Sequence, residues 1–430
     1  MRRLSFVTVG VLVIAFCWRV VSVQQTVPPA RRFHDTQFYF EVARSPVWSL
    51  EFWAGARSPL PALLFKACAL QPERIRFWLL IISISSWSAF ALALSRSIKA
   101  PGLKPVAVAL ALSLGASRTV AQWNHALLSE SLSFSLAVVC LASALMFMNR
   151  PKIWLAPTIG CALAFALCRD SNAYLILMIG AFATMLAAFR VAQKRAWWRA
   201  GALGLAFVSI FPIVNASANA GSRWVYPLTN VVVERVLPDS PRWEAFEAEG
   251  MPKLRHLKPR RPRHAYDKDR SLAPFRSWIA EHGKQAYERF LLSSPRYLFT
   301  EANLADLLSG DVQRYAPPGM RDNLPELMES FWSRRVWWIH LIAALTLTLL
   351  CICIPAARRG YLTPIGICLS VLIIPHALLI WHGDSMETAR HEIEAVFQMQ
   401  ISLVLLLPAL ADSLLAARIS PSEKRIEPTA

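Results

Sequence analysis

The chain has 430 residues, of which 55% are apolar and only 17% charged, with a formal net charge of +18. A soluble chain carries about 25% charged residues, so an ordinary soluble domain is excluded; apolar runs of about 18 or more residues point instead to membrane-spanning helices. In such a chain the positive charge belongs first to topology and anionic lipid, not to nucleic acid.

The first run, Leu4–Val23, follows Arg2 and Arg3. A signal peptide is the alternative. Against it, the run holds Arg19 near its far end and lacks a small-x-small cleavage site before Gln24-Gln25-Thr26, so it reads as a retained span. Further spans are expected at about 77–95, 105–117, 126–148, 153–168, 171–189, 201–218, 336–355, 361–381 and 395–417. The fold class is therefore all-α, a polytopic membrane protein of about ten transmembrane helices with a large extracytoplasmic loop.

Placing the N-terminus in the cytoplasm makes every inner segment basic: Arg2 and Arg3; Arg96, Lys99 and Lys104; Arg150 and Lys152; Arg190, Lys194, Arg195 and Arg199; Arg358 and Arg359; Arg418, Lys424 and Arg425. The positive-inside rule requires this pattern, and it puts both termini in the cytoplasm. Residues 24–76 resist, with seven Lys/Arg against four Asp/Glu in a segment expected outside. That segment holds the aromatic stretch Phe38–Trp53 and the short apolar stretch Leu60–Leu70, which is too short to span and reads as an interfacial or re-entrant helix. The second outer region, 219–335, is polar with scattered Pro, and its stretch Lys253–Arg276 carries nine Lys/Arg against two Asp. The expected organisation is an N-terminal transmembrane bundle (1–218) containing the outer loop 24–76, an extracytoplasmic loop domain (219–335), C-terminal transmembrane helices (336–418) and a cytoplasmic tail (419–430).

Of the eight cysteines, seven lie in expected spans and Cys68 in a short apolar segment. They read as small packing residues, with no disulfide framework and no thiolate metal site.

Ionisable groups at membrane depth are functional candidates by default. His34, Asp35, Arg57, Arg118, His125, Glu130, Arg169, Asp170, His382, Asp384, Glu387, Arg390 and His391 all map to the non-cytoplasmic face or just beneath it. Each has a plainer reading. Asp35 is a loop acid open to solvent, and Arg57, Arg118 and Arg169 snorkel to headgroups. Glu130 favours a helix N-terminus, Arg169-Asp170 is a local pair closing a tight turn, and His382–His391 is simply a polar loop. Their shared face favours a polar site at the outer interface.

Four segments carry a family resemblance. His34-Asp35-Thr36-Gln37-Phe38-Tyr39-Phe40-Glu41-Val42-Ala43 is similar to Asp-x-x-x-Tyr-x-x-x-Ala after a first span, and Arg57-Ser58-Pro59-Leu60-Pro61 to Arg-x-Pro-x-x-Pro, one residue shorter. Leu128-Ser129-Glu130-Ser131-Leu132 is similar to Thr/Ser-Glu at a span start, and Glu387-Thr388-Ala389-Arg390-His391 to Glu-x-x-Arg-Tyr/His before the last span. In order, spacing and side these resemble the GT-C superfamily of membrane glycosyltransferases, which includes protein O-mannosyltransferases and the aminoarabinose transferases of lipid A.

The resemblance implies a sugar donor linked to polyprenyl phosphate, an envelope glycan, lipid or protein acceptor, and a place in a bacterial inner membrane. It makes Asp35 or Glu130 the candidate general base. His34, Tyr39, Arg57, Arg118, His125, Arg169, Asp170, Asp384, Glu387, Arg390 and His391 become substrate-binding candidates, with guanidinium groups for the leaving phosphate. Leu60–Leu70 is the expected holder of the lipid tail. Many relatives carry paired acids in the first loop, whereas His34 precedes Asp35 here, which leaves a divalent metal and the sugar class open. The rival readings are another lipid-linked polysaccharide polymerase or ligase, a transporter or flippase, and a non-catalytic scaffold. The transporter reading calls for broken or charged helices at the midplane in two repeated halves, and the charges here cluster near one face.

Overall fold

With no water to bond main-chain groups in lipid, each apolar run must satisfy its N–H and C=O groups within itself, and a helix does so. The computed structural model describes residues 2–25, 29–190, 196–236, 238, 240–253, 270–302, 304–309, 315–317, 320–357, 360–385 and 388–423. Lys194, Arg195, Arg358, Arg359, Glu387, Lys424, Arg425 and residues 254–269 of the basic stretch lie outside the described residues. Among the described residues the protein is helical, with one isolated bridge between Arg31 and Ala126.

Eight helices are long and apolar enough to cross a membrane: Leu4–Val23, Pro72–Ser97, Glu130–Asn149, Pro151–Cys168, Asp170–Ala188, Trp198–Ala220, Arg334–Cys353 and Ile393–Ala417. Two bent pairs, Leu103–Ala116 with Arg118–His125 and Leu362–Val371 with Ile373–Gly383, bring the number to ten. The expected count holds, but two spans are broken and one starts late. Ser117 takes an extended backbone and ends the third span's first arm, and the chain turns by 45°. Just before it, Gly115 lies so close to the Trp87 indole that a Cβ would come within 2.5 Å of the ring. The second bend, of 40°, falls at Leu372. Pro375 has no N–H to donate to the Val371 carbonyl, so the helical ladder lacks a rung there. The span expected at 126–148 begins only at Glu130, because 126–129 is not helical.

Two spans form the interior of the bundle. The helices Glu130–Asn149 and Ile393–Ala417 are 72% and 61% buried, whereas Leu4–Val23 is 22% buried. Phe134 stacks on Phe397 between them, with ring centroids 4.6 Å apart. At one end of the bundle Ser5 donates to the Pro101 carbonyl (2.9 Å), and Asp412 accepts from the N–H groups of Lys99 and Ala100. The first and last helices therefore meet at the same end. At the other end Arg19 donates to the carbonyls of Asn323 and Asp322 (3.0 and 3.1 Å), which gives the charge inside the first span a partner.

Short helices between Val225 and Thr300 build a separate apolar cluster from Val232, Phe246, Phe275 and Ile279. Their Tyr287 meets His382 Nδ1 at 3.0 Å, so this segment packs on the end that carries Arg19 and Asp384. The helix Pro59–Ala67 buries one face in protein: Ala62 and Phe65 are fully buried against Tyr39, Phe52, Ile75 and Leu79, while Leu60, Leu63 and Leu64 are partly buried. Neighbouring loop helices fold over that face.

Candidate active site

The site is assembled from the main chain outward. The Arg31 N–H donates to the His125 carbonyl (2.9 Å) and the Leu127 N–H to the Arg31 carbonyl (3.0 Å), which splices the segment after the first span onto residues 125–127. Thr36 Oγ1 accepts from the Phe33 N–H and donates to the Leu127 carbonyl, both at 2.9 Å. Asp35, in the first turn of the helix His34–Arg44, is thereby held beside the segment that ends at Glu130. An acid in that turn also suits the positive end of its helix.

Six charges of alternating sign follow. Arg57 Nη2 lies 2.5 Å from Asp35 Oδ1, and Arg390 Nη1 lies 2.9 Å from Asp35 Oδ2. Arg390 Nε donates to Glu130 Oε1 at 2.5 Å. Arg169 Nη1 is 3.1 Å from the same oxygen, and its Nε is 3.1 Å from Glu394 Oε1. The row Arg57–Asp35–Arg390–Glu130–Arg169–Glu394 is neutral as a whole. A lone buried charge is costly by several kcal/mol, about 3–5 when one partner of a buried pair is removed, so the alternation is what allows six charges to sit together. Ser133 and Ser171 donate to Glu394 as well (3.1 and 2.8 Å), and Asn172 donates to Ser133 Oγ (2.9 Å).

The row is open at one end. The Asp35 and Arg57 side chains are 16% and 29% exposed, whereas Glu130 is sealed. Burial pushes the Asp35 carboxyl up, but Arg57 and Arg390 outweigh it and hold the group below the usual carboxylate range. It is a carboxylate at neutral pH.

His391 is fixed by its neighbours. Arg169 Nη2 donates to its Nδ1 (2.6 Å), which puts the imidazole proton on Nε2, 3.7 Å from Asp384 Oδ2. Burial and the charges of Arg169, Arg390 and Arg57 hold its pKa well below the ordinary value, so it is neutral. Asp384 accepts from Asn230 (3.1 Å) and its carbonyl from Arg235 (3.3 Å), whose guanidinium lies 3.8 Å from the centre of the Trp381 ring.

The structure thus brings together Asp35, Arg57, Glu130, Arg169, Arg390 and His391, with Asp384 next to them. Tyr39 lies buried below, edge-on to Phe65, and burial pushes its phenol up. His34 is exposed and meets the Phe38 ring edge-on. Arg169 and Asp170 do not pair with each other: Asp170 takes both its oxygens to Arg223, at 3.0 Å each. Arg118 and His125 are not part of the row. Arg118 stands 3.7 Å from Asp322 while its N–H reaches Glu329, and both His125 ring nitrogens are buried without a hydrogen-bond partner among the described residues. His382 bonds Tyr287 and the Leu298 carbonyl. Glu387 lies outside the described residues. Sequence reasoning missed Glu394, Ser133, Ser171, Asn172, Arg223, Asn230 and Arg235. For Glu394 a signal existed: it is an acid one helical turn beyond Arg390, at the mouth of a span.

Among the described residues no group of three or more His, Cys, Asp or Glu side chains is placed to hold a metal ion. The acids of the row face guanidinium groups instead. Beside the row lies an apolar cavity of about 510 Å³. Ser133, Asn172, Glu394 and Gln398 line its polar end, and Phe165, Ile176, Phe207 and Phe397 its walls, as far as Met148 and Tyr361. From Ser133 to Met148 the helix rises by roughly 22 Å at about 1.5 Å per residue, most of a hydrocarbon layer of about 30 Å. This cavity is an apolar space next to the charges.

No family model and no curated protein matches the sequence. Solved structures do match. The chain is similar to archaeal oligosaccharyltransferase AglB from Archaeoglobus fulgidus in complex with an inhibitory peptide and a dolichol-phosphate, at 11% identity and a TM-score of 0.49, over 98% of this chain and 52% of that one. It is similar to the apo form of the Archaeoglobus fulgidus oligosaccharyltransferase at 11% identity and a TM-score of 0.46, over 98% and 51%. For that enzyme's complex with Zn and sulfate the values are 11% and 0.43, over 95% and 51%. The chain spans about half the length of the structures it matches.

Proposed function

We propose that the chain is a GT-C-type membrane glycosyltransferase that moves a sugar from a polyprenyl-phosphate donor to a hydroxyl of an envelope acceptor, at the outer face of a bacterial inner membrane. One observation carries this reading. The row of charges opens to solvent at Asp35 and Arg57, and at Glu394 it borders an elongated apolar cavity lined from Ser133 to Met148. A donor with a long apolar tail, a phosphate and a sugar has the same three parts in the same order.

The reaction divides among these groups. The tail lies in the cavity and the phosphate competes with carboxylates for the guanidinium groups of Arg57 and Arg390. As a phosphate draws those groups away, the Asp35 carboxylate loses the charges that depress its basicity. It then accepts the proton of the acceptor hydroxyl while that oxygen bonds to the anomeric carbon. The bond from that carbon to the phosphate oxygen breaks, and its electron pair leaves on the lipid phosphate. Arginine forks offset the charge that develops there. Glu130, sealed between Arg390 and Arg169, orients the arginines; Asp35, at the open end, is the base.

The test uses purified protein and a panel of polyprenyl-phosphate sugars, with lipid products read by mass spectrometry. Asp35→Asn is expected to retain donor binding and to lose transfer by at least about a hundredfold. Transfer within a few-fold of wild type removes Asp35 from the mechanism, and a dead Glu130→Gln beside it reassigns the base. The side of the membrane is tested separately. Reporters fused at Gly102 and Gly250 are expected to read inside and outside, and a cytoplasmic Gly250 overturns the outward-facing site.

A further inference from the structure

The first outer segment carries an apolar surface that neither the fold nor the proposed reaction uses. Trp48 is 90% exposed and Leu50 71% exposed, on a loop and short helix outside every span. This lobe is built to hold its shape. Phe52, on the same short helix, is fully buried in the cluster around Tyr39 and Phe65. Trp53 Nε1 donates to the Val47 carbonyl (2.7 Å), which closes the lobe on itself.

The lobe is also fastened to a span. The Trp53 carbonyl accepts from Ser217 Oγ and, at 3.4 Å, from Arg223 Nη1. Next to it the main chains touch so closely that a Cβ on Gly221 would come 2.4 Å from the Ala54 oxygen. Ser217 lies in the last turn of the span Trp198–Ala220. Residues four apart share one face of a helix, and the face that contains Ser217 runs through Ile213 and Ser209 to Leu205. Leu205 and Ile213 are exposed, whereas Leu203, Phe207, Ile210 and Val214 on the other side are buried in the bundle. The exposed face of a membrane span is its lipid face, so the lobe stands at the top of a lipid-facing row.

We propose that the Val47–Trp53 lobe seats in the lipid headgroup layer through Trp48 and Leu50. The partner is the bilayer itself. Tryptophan suits that layer because its ring is apolar and its N–H polar, and the apolar surface of the lobe continues the lipid face of the span beneath it. Gly55 and Arg57 follow directly in sequence, so a seated lobe fixes the open end of the charged row at a set height above the lipid. The proposal depends on the membrane fold and not on the reaction proposed above.

A photo-crosslinking experiment on the full chain tests this. With p-benzoylphenylalanine placed singly at Trp48, Leu50, Leu205 or Glu281, the protein is reconstituted in phosphatidylethanolamine–phosphatidylglycerol vesicles, irradiated and analysed by mass spectrometry. Leu205 is the lipid-facing reference, and Glu281, exposed on the segment after the lobe's partner span, is the aqueous one. Phospholipid adducts at 48 and 50 comparable to those at 205, and absent at 281, are the expected result. Adducts at 205 alone overturn the proposal. So does a protein–protein adduct at 48 or 50, which would make the lobe a contact between two copies of the chain.

Discussion

Two groups of arginines and acids stand at the same end of the bundle. One is the row from Arg57 to Glu394; the other is Arg118 with Asp322 and Glu329. They contain the same residue types, and both begin from residues that map to the same face in sequence. They differ in surroundings. Most of the row is closed to solvent and borders a cavity, whereas the Arg118–Asp322 pair is half-exposed at 3.7 Å. Glu329 accepts the Arg118 N–H at the start of the helix Arg118–Ala121, so it satisfies a main-chain donor that the helix cannot. One group borders an apolar cavity, the other the broken third span. Shared face is therefore a weak criterion for a site, and burial beside a cavity is a stronger one.

Substitutions can break that distinction. The largest effect is expected at Arg390, which divides its guanidinium between Asp35 and Glu130. Arg390→Lys keeps the charge but has a single ammonium that cannot serve both acids. Transfer should fall by about 10²–10³-fold, the range for losing one preorganised transition-state donor, with expression retained. Near-normal turnover of the lipid donor would remove Arg390 from the phosphate site.

Glu394→Gln should act on stability first. It leaves buried Arg169 with one carboxylate fewer, a loss on the order of 3 kcal/mol for a broken buried pair. A lower Tm and weaker donor binding are expected, and an unchanged Tm would show that Glu394 is not a needed partner of Arg169. The second group should respond much less. Arg118→Ala removes a pair worth about 0–1 kcal/mol, so transfer should stay within a few-fold of wild type; a loss as deep as that of Arg390→Lys would erase the contrast.

The smallest effect concerns pH. Burial pushes the Glu329 carboxyl up to about 7, against an ordinary 4.5. The fold thus favours the protonated acid. This contribution is fully present below pH 4.5 and is lost as pH rises through 7. Glu329→Gln stays neutral and can still accept the Arg118 N–H, so its Tm should fall less between pH 5 and pH 8 than that of the wild type, about the span of those two values. Equal slopes for the two proteins would refute the role given to Glu329.

The spans were legible because composition alone dictates them: Leu4–Val23 or Arg334–Cys353 has no other way to satisfy its main chain in lipid. The breaks at Ser117 and Leu372 were not, since they depend on how Trp87 packs on Gly115 and on a proline that many spans tolerate. Depth was legible too, which is why Asp35, Arg57, Glu130, Arg169 and Arg390 were all singled out. Direction around the axis was not. A buried span is apolar on every side, so nothing marks which way the ends of the third and fourth spans turn. Arg118 and His125 therefore ranked with Arg169, although the structure separates them from it. Glu394 was overlooked for the opposite reason: an acid at the edge of a span reads as a helix start until its arginine is seen. The packing partners of Leu60–Leu70 were not legible either, because a short apolar run looks the same whether it meets lipid or protein; here one face of it meets Tyr39 and Phe52.

The splice between Arg31 and residues 125–127 is made of main-chain amides and carbonyls. Amide protons of Arg31 and Leu127 should therefore exchange slowly with solvent although they lie in a connecting segment, and they would report directly on whether the two acids keep their spacing. The side chains at these positions serve packing instead: Ala126 and Leu127 are buried in the core, and Arg31 donates to the Ala316 carbonyl. Changes in chain length are another matter. One residue added between Asp35 and Thr36 would turn Asp35 by about 100° around the helix His34–Arg44, away from Arg390. The site should therefore resist a change in the number of residues here.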